Sequence, residues 1–380
     1  MTLFATIYVV CGKVNFTNLS RYSDLSDRTY RRHFERPYEF IGFNRCLIEE
    51  VIVPTHFQVG VVDASFVPKS GKATYGIDRF YNGKASRPER GLELSMIAVV
   101  DVDQAIGYTL SVQQTPPIEA EAEVSPNWTR VDDYLEHLRT TRSDLPGTVR
   151  YLVGDGFYSK LKWVNGVVEL ELEVIGKLRC DANLKYLYDG PQKSRGARRK
   201  YDGKVDLSDL RRWEALGEVE DDTELYTAIV WSVSLKRKIR VVYLLNRKHP
   251  EQLCYALLFS TDLDLDPIQL YEAYRARFQI EFIFRDAKQF TGLTDCQARD
   301  EQKLDFHFNA ALTALNIAKA EQYLQRNPWE PFVFSMASYK RRKLNQHLLE
   351  AFIHNLDLDE TLIKSHPNYS SLCEYGVLVS

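Results

Sequence analysis

Residues 274–290 read YRARFQIEFIFRDAKQF, a segment with four basic side chains, two acids and five aromatic rings. A surface helix would keep charges apart from rings, and a core helix would carry few charges. Set on a helix of about 100° per residue with Tyr274 at zero, Arg277, Glu281, Arg285 and Lys288 fall at about −60°, −20°, +20° and −40°. A phenol, a carboxylate and several cations therefore share one stripe. Leu270, Phe278 and Phe284 flank it, and Ile280, Ile283 and Phe290 cover other faces. The spacing predicts a helix packed on most sides, with Glu281 desolvated. A desolvated carboxylate takes up a proton or keeps a cation partner. The plainest arrangement is an Arg277–Glu281 ion pair at i,i+4, worth only a few tenths of a kcal/mol.

Two further acids widen the choice. Asp63 stands in the apolar run VGVVDASF, and Asp155 ends another, YLVGDG. Either one alone reads as a turn or cap residue. With Glu281 they make three carboxylates on rigid elements, with no cysteine or histidine cluster expected to compete. Such a set suits Mg²⁺ or Mn²⁺, hard ions that prefer oxygen and retain water. Two such ions can activate an attacking oxygen and stabilise the leaving oxygen of a phosphodiester. Cations around Glu281 then make sense as clamps on flanking phosphates.

The elements that must position these residues can be traced along the chain. The run FQVGVVDASFV is β-branched, and LELSMIAVVDV and AIGYTLSVQQT follow as strands, with Asp103 and Gln104 at the turn between them. RVDDYLEHLRTTR predicts a helix, VRYLVGDGFYSK a strand, and VVELELEVIGKL another strand. This order predicts an α/β sheet layered with helices. Residues 178–265 break the rhythm with GPQKSRGARRKYDGK, a mobile basic loop, followed by the strands RKIRVVYLLNRK and LCYALLFST. Asp266 is an N-cap candidate for the helix quoted above, Pro267 suits its first position, Gln269 completes a capping-box spacing, and Gly292 stands where a C-terminal cap falls. A final helical region, LDFHFNAALTALNIAKAEQYL, precedes a basic tail, YKRRKLNQHLLEAFIHNL.

Asp63 in DASFVPKSGKATYG, Asp155 in DGFYSK, and Tyr274, Arg277, Glu281 and Lys288 at Y-x2-R-x3-E-x6-K resemble the DDE transposases of cut-and-paste bacterial insertion sequences. More narrowly, they resemble the branch named for its YREK signature. The resemblance covers residues 57–290 and extends to the N-terminal helical segment. It implies a ribonuclease-H-like catalytic core, a mixed sheet flanked by helices, interrupted by a β-rich insertion. Helical N- and C-terminal segments complete that α/β architecture.

The implied division is 1–56, helical and a possible helix-turn-helix; 57–177, the first part of the core; 178–265, the insertion; 266–325, the closing helices; and 326–380, a helical tail. Asp63, Asp155 and Glu281 would be catalytic metal ligands for Mg²⁺, with Mn²⁺ as substitute, and two ions in the site. Tyr274, Arg277 and Lys288 would contact the backbone of the transposon end. The implied reaction is cleavage of element ends by metal-assisted hydrolysis, then joining of the freed 3′-hydroxyl to target DNA. Double-stranded DNA would be the partner, handled by a homodimer in the bacterial cytoplasm, at the nucleoid. A metal nuclease that cuts without joining, and a domesticated DNA-binding protein, are the alternatives.

Composition sets wider bounds. With 380 residues, 44% apolar and 27% charged, the chain reads as an ordinary globular protein of two or more domains. Its 49 basic and 52 acidic residues give a net charge of −3, so any DNA footprint must be local. Arg28, Arg31 and Arg32, in a short helix capped by Ser26, form one candidate footprint, with a packing segment carrying a solvated basic face as the alternative. Arg195, Arg198, Arg199 and Lys200 form another. Six scattered cysteines without CxxC spacing read as reduced thiols, mostly buried. The apolar start MTLFATIYVV lacks a preceding basic residue and reads as core packing rather than a signal peptide. No run approaches the ~18 apolar residues of a membrane span. Trp213, Trp231 and His307 read first as core residues, and the basic run 340–343 as a solvated face.

Overall fold

The computed structural model describes residues 2–118, 127–220, 222–248, 254–327 and 332–378. Helices α1 (Thr2–Val9), α2 (Phe16–Leu19), α3 (Asp27–His33) and α4 (Phe40–Val51) lead into strands β1 (Gln58–Pro68), β2 (Asp78–Asn82), β3 (Arg87–Asp101) and β4 (Ile106–Thr115). Then come α5 (Arg130–Thr141), β5 (Tyr151–Val153), α6 (Leu161–Glu169) and β6 (Glu173–Leu178). A run of strands follows: β7 (Leu184–Leu187), β8 (Tyr201–Lys204), β9 (Glu214–Glu220), β10 (Thr223–Ser232), β11 (Arg237–Asn246) and β12 (Cys254–Ser260). The chain closes with α7 (Pro267–Ala276), α8 (Phe278–Asp286), α9 (Glu301–Gln325), α10 (Met336–Asn355), α11 (Glu360–Lys364) and α12 (Pro367–Cys373).

One mixed sheet runs through the protein. Its first part has the order β4-β3-β1-β5-β6, antiparallel from β4 to β1 and parallel from β1 through β5 to β6. Beyond β6 it continues antiparallel through β12, β11 and β10 to β7 and β8. Side chains alternate along β1, so Val59 and Val61 pack with α7, α8 and α9, while Val62 packs with α5 and α6 on the other face. Asp63 shares the parity of Val61 and therefore faces α8. β1 is buried up to Val62 and half-buried from Asp63 to Phe66, so the acid stands where the strand emerges from the core.

Edge strand β4 would expose unpaired backbone groups if α9 did not cover it. Asn316 accepts from the Thr109 amide at 3.0 Å and donates to the Thr109 carbonyl at 2.7 Å. Asn309 and the buried Lys319 reach the Val112 and Gly107 carbonyls at 3.3 and 2.7 Å. The N-terminal helices share this core. Tyr8 donates to the Ala314 carbonyl at 2.8 Å, Phe34 stacks on Phe306 at 4.5 Å, and Lys340 donates to the Ile7 and Phe290 carbonyls, both at 2.8 Å.

Several expectations change here. Strand β2 was not anticipated, and residues 167–169 belong to α6 rather than to the strand β6. Lys340 is no solvated cation: burial lowers its ammonium to about 8. Arg342 pairs with Glu374 at 2.5 Å, and Lys343 pairs with Glu321. Cys11, Cys46, Cys180 and Cys254 are exposed rather than buried, and only Cys373 lies in the core; all six are free thiols. The loop expected to be mobile is closed by the Tyr188 amide donating to the Lys200 carbonyl at 3.1 Å, and by Gln192 bonding Arg199 in both directions at 2.8 Å. Among the described residues no helix is long and apolar enough to cross a membrane.

Candidate active site

Register brings the first two acids together. Val61 pairs with Val153 in parallel strands, and Asp63 and Asp155 each stand two residues beyond. Adjacent strands lie about 4.8 Å apart, so both carboxylates leave the same edge of the core. Asp155 is the cap that its position suggested: its Oδ1 accepts from the Phe157 amide at 2.8 Å and starts a single turn, Gly156–Tyr158. Asp63 Oδ1 accepts from the Ala64 amide at 2.8 Å.

The third acid comes from the helical segment, whose ends follow the sequence. Asp266 accepts from the Ile268 and Gln269 amides at 2.8 and 3.1 Å, with Pro267 behind it, and Gly292 closes the segment at φ 81°. Its middle does not follow the sequence. The helical ladder breaks at Arg277 between α7 and α8, and residues Ala287–Thr291 form a π-turn. A π-turn inside a helix often marks a functional site. Arg277 keeps right-handed helical dihedrals, so its Nη2 still reaches Glu281 Oε1, at 2.9 Å. In that pair the arginine side chain is 9% exposed and the glutamate 47%.

The desolvated acid is therefore Asp63 and not Glu281. Burial raises the Asp63 carboxyl to about 7, and the negative charges of Asp155 and Glu281 add to the rise against the Ala64 amide and Arg277. Burial pulls the Arg277 guanidinium down, but Tyr274, Glu281 and Asp63 more than offset it. The guanidinium lies 4.7 Å from the Phe278 ring and 5.7 Å from Tyr274, and its buried Nε has no hydrogen-bond partner among the described residues. Burial raises the Tyr274 phenol, Arg277 opposes it, and Asp155 and Glu281 add to it. Burial lowers the Lys288 ammonium, with Asp63 opposing; the ammonium donates to Ser65 Oγ at 2.7 Å and the Phe66 carbonyl at 2.9 Å. All six residues of the signature and acid set thus gather in one electrostatic neighbourhood.

Other candidates lie elsewhere. Arg28, Arg31 and Arg32 are exposed on α3, capped by Ser26, with Arg31 held by Asp27 at 3.4 Å. Arg195, Arg198, Arg199 and Lys200 lie between β7 and β8, with β7 six strands from β1, on the order of 30 Å along a sheet. Trp213 is buried against Tyr243 at 5.6 Å and Trp231 half-buried against Tyr201 at 5.5 Å. His307 is a core residue, its Nε2 donating to the Gly292 carbonyl at 2.8 Å. Sequence reading missed Lys160, whose ammonium sits 3.4 Å over the exposed Phe157 ring and near Asp155; the run DGFYSK was its only signal.

A histidine-containing group does exist, contrary to expectation. His56, Asp101 and Asp103 offer ligand atoms within 4.8 Å of one another. Asp101 pairs with Gln58, so this group lies five residues of β1 away from Asp63, roughly 16 Å. Its oxygens already close a turn, with Asp101 bonded to His56 at 2.8 Å and the Gln104 amide at 3.0 Å, and Asp103 to the Phe57 amide at 2.8 Å. Strand pairing joins residues 45 apart in sequence, so spacing alone gave no sign of it.

The family described as Transposase DDE domain matches residues 54–317, a span that runs from just before β1 into α9 and contains all three acids. The chain belongs to this DDE transposase family. No curated protein matches it. As a DDE transposase it is a DNA-metabolising enzyme of transposition and recombination that binds DNA and uses divalent metal. Its mixed α/β sheet with helices at both ends agrees with that membership.

Proposed function

We propose that Asp63, Asp155 and Glu281 are the metal ligands of this DDE transposase, in a ribonuclease-H-like core whose β-rich insertion spans residues 178–265. We further propose that it belongs to the YREK branch serving cut-and-paste insertion sequences. One observation carries the reading: the β1–β5 register sets Asp63 beside Asp155 at one edge of the core, and burial raises the Asp63 carboxyl to about 7, with smaller contributions from the charges of Asp155 and Glu281. A divalent cation would relieve the repulsion among these charges, and an all-oxygen donor set suits Mg²⁺ or Mn²⁺, as one ion or two. When bound, such ions activate the attacking oxygen and stabilise the leaving oxygen of a phosphodiester.

The chain's own residues do the rest. Asp63 and Asp155 are presented by rigid neighbouring strands, and Glu281 by a helix packed on the same face. Tyr274 and Arg277 hold phosphates flanking the scissile bond, the unpartnered Arg277 Nε being a donor that a phosphate oxygen satisfies. Lys288 sits beside them with its ammonium turned onto β1. The exposed arginines of α3 and of the β7–β8 loop extend the DNA contact, in a homodimer assembled on element ends in the bacterial cytoplasm. Hydrolysis frees a 3′-hydroxyl, which then attacks target DNA.

The test uses purified protein, labelled element ends, Mg²⁺ and a target plasmid. Wild type is expected to cut and join; Asp63→Asn and Asp155→Asn are expected to do neither while binding ends within a few-fold. Cutting without joined products would assign a nuclease, and normal cutting by either variant would remove the metal site from these residues.

A further inference from the structure

The Lys288 ammonium is committed within the protein. It leaves the π-turn after α8 and donates to Ser65 Oγ at 2.7 Å and the Phe66 carbonyl at 2.9 Å. Those acceptors are two and three residues beyond Asp63 on the same strand. An ammonium has three donors, and two are used here. A second lysine makes the reciprocal link: Lys69, just past the end of β1, donates to the Cys296 carbonyl in the segment that follows the π-turn. The outer half of β1 and residues 288–296 are thus tied in both directions. No other ammonium bonds β1 within three residues of Asp63 among the described residues.

A point-charge contact with DNA needs neither of these two bonds, because the third N–H alone could serve a phosphate. A lysine that holds one ligand-bearing element against another needs them. We propose that Lys288 is a positioning residue: it fastens the helix bearing Glu281 to the strand bearing Asp63 and so sets the spacing of the metal ligands. This rests on the ligand assignment above. Partners that orient metal ligands, though they do not touch the ion, commonly change metal affinity 10- to 100-fold when removed.

The experiment measures Mn²⁺ affinity of the full-length, DNA-free protein by electron paramagnetic resonance, and the salt dependence of DNA binding in parallel. Asp63→Asn tests the underlying reading: if it binds Mn²⁺ as wild type does, the ligand assignment fails, whatever Lys288 does. Lys288→Met keeps the aliphatic stem near Phe284 and removes the ammonium with both of its hydrogen bonds. It is expected to weaken Mn²⁺ binding by about tenfold or more while the salt slope of DNA binding stays at the wild-type value. Ser65→Ala removes one acceptor from the other side, without touching the lysine, and serves if Lys288→Met fails to fold. It is expected to weaken Mn²⁺ binding several-fold, and the Lys288→Met/Ser65→Ala double variant to lose less than the sum of the two. Unchanged Mn²⁺ affinity in Lys288→Met, or in Ser65→Ala where the former does not fold, overturns the proposal. A salt slope lower by about 0.9 with unchanged Mn²⁺ affinity would make Lys288 a phosphate contact instead.

Discussion

At the scale of single residues, the spacing of residues 274–290 anticipated the Arg277–Glu281 pair and misjudged which acid is desolvated. Glu281 had the aromatic neighbours, yet those rings leave it half-exposed, with Phe278 and Phe282 themselves 48% and 42% exposed on the same face. Asp63 carries the burial because β1 is covered on both faces up to Val62. This has a pH signature. An Asp63 carboxyl raised from 3.8 to about 7 favours the folded state fully below pH 3.8, and that advantage disappears as pH rises through 7. The metal-free protein is therefore expected to lose stability between these pH values, by at most about 4 kcal/mol. Asp63→Asn is expected to remove that slope and to be the more stable of the two at pH 8. Urea unfolding with a chelator across this range checks it; parallel stability profiles for the two proteins would contradict it. Added Mn²⁺ should reverse the loss in wild type alone.

At the scale of elements, the strands and the helix ends were legible, and the breaks were not. β-branched runs marked β1, β3 and β4, and Asp266, Pro267 and Gly292 marked the ends of the α7–α8 segment. The interruption at Arg277 and the π-turn at 287–291 had no such marker, and the bonds that tie Lys288 in that turn to β1 join residues more than 220 apart in sequence. Gly107 is another contact that pattern could not reveal. A Cβ there would lie 3.0 Å from the Gln279 Cβ and 3.3 Å from Ile283 Cδ1, so α8 rests directly on the β4 backbone. Gly107→Val is expected to push α8 outward, costing on the order of 1–3 kcal/mol, and to weaken Mn²⁺ binding by displacing Glu281 while DNA binding persists. Thermal unfolding and Mn²⁺ titration check this. A Gly107→Val protein with wild-type Mn²⁺ affinity would mean that the sheet does not set the helix position.

At the scale of the whole molecule, sequence patterns gave the α/β class and read the apolar start as core packing, but drew residues 1–56 as a segment apart. Composition could not show that their buried faces complete the main core, since Tyr8, Phe16 and Phe34 find partners some 300 residues away or in one another. Two roles can therefore be separated by experiment. A chain shortened to residues 35–380 loses the Ile7 carbonyl that holds the half-buried Lys340, and uncovers Phe306 and the face of α9 around Ala314. It is expected to aggregate or to unfold without a cooperative transition, and to bind no Mn²⁺. The full-length Arg31→Ala/Arg32→Ala variant changes only exposed side chains, so it should melt as wild type does and bind Mn²⁺ normally. Its DNA binding should weaken, with a salt slope lower by about 0.9 for each phosphate that the missing guanidinium groups would have neutralised. Thermal melts, Mn²⁺ titration and DNA binding over a salt series decide both points. A monomeric 35–380 fragment with wild-type melting temperature would make the N-terminal helices a detachable module. Unaltered DNA binding by the double variant would leave those helices with packing alone.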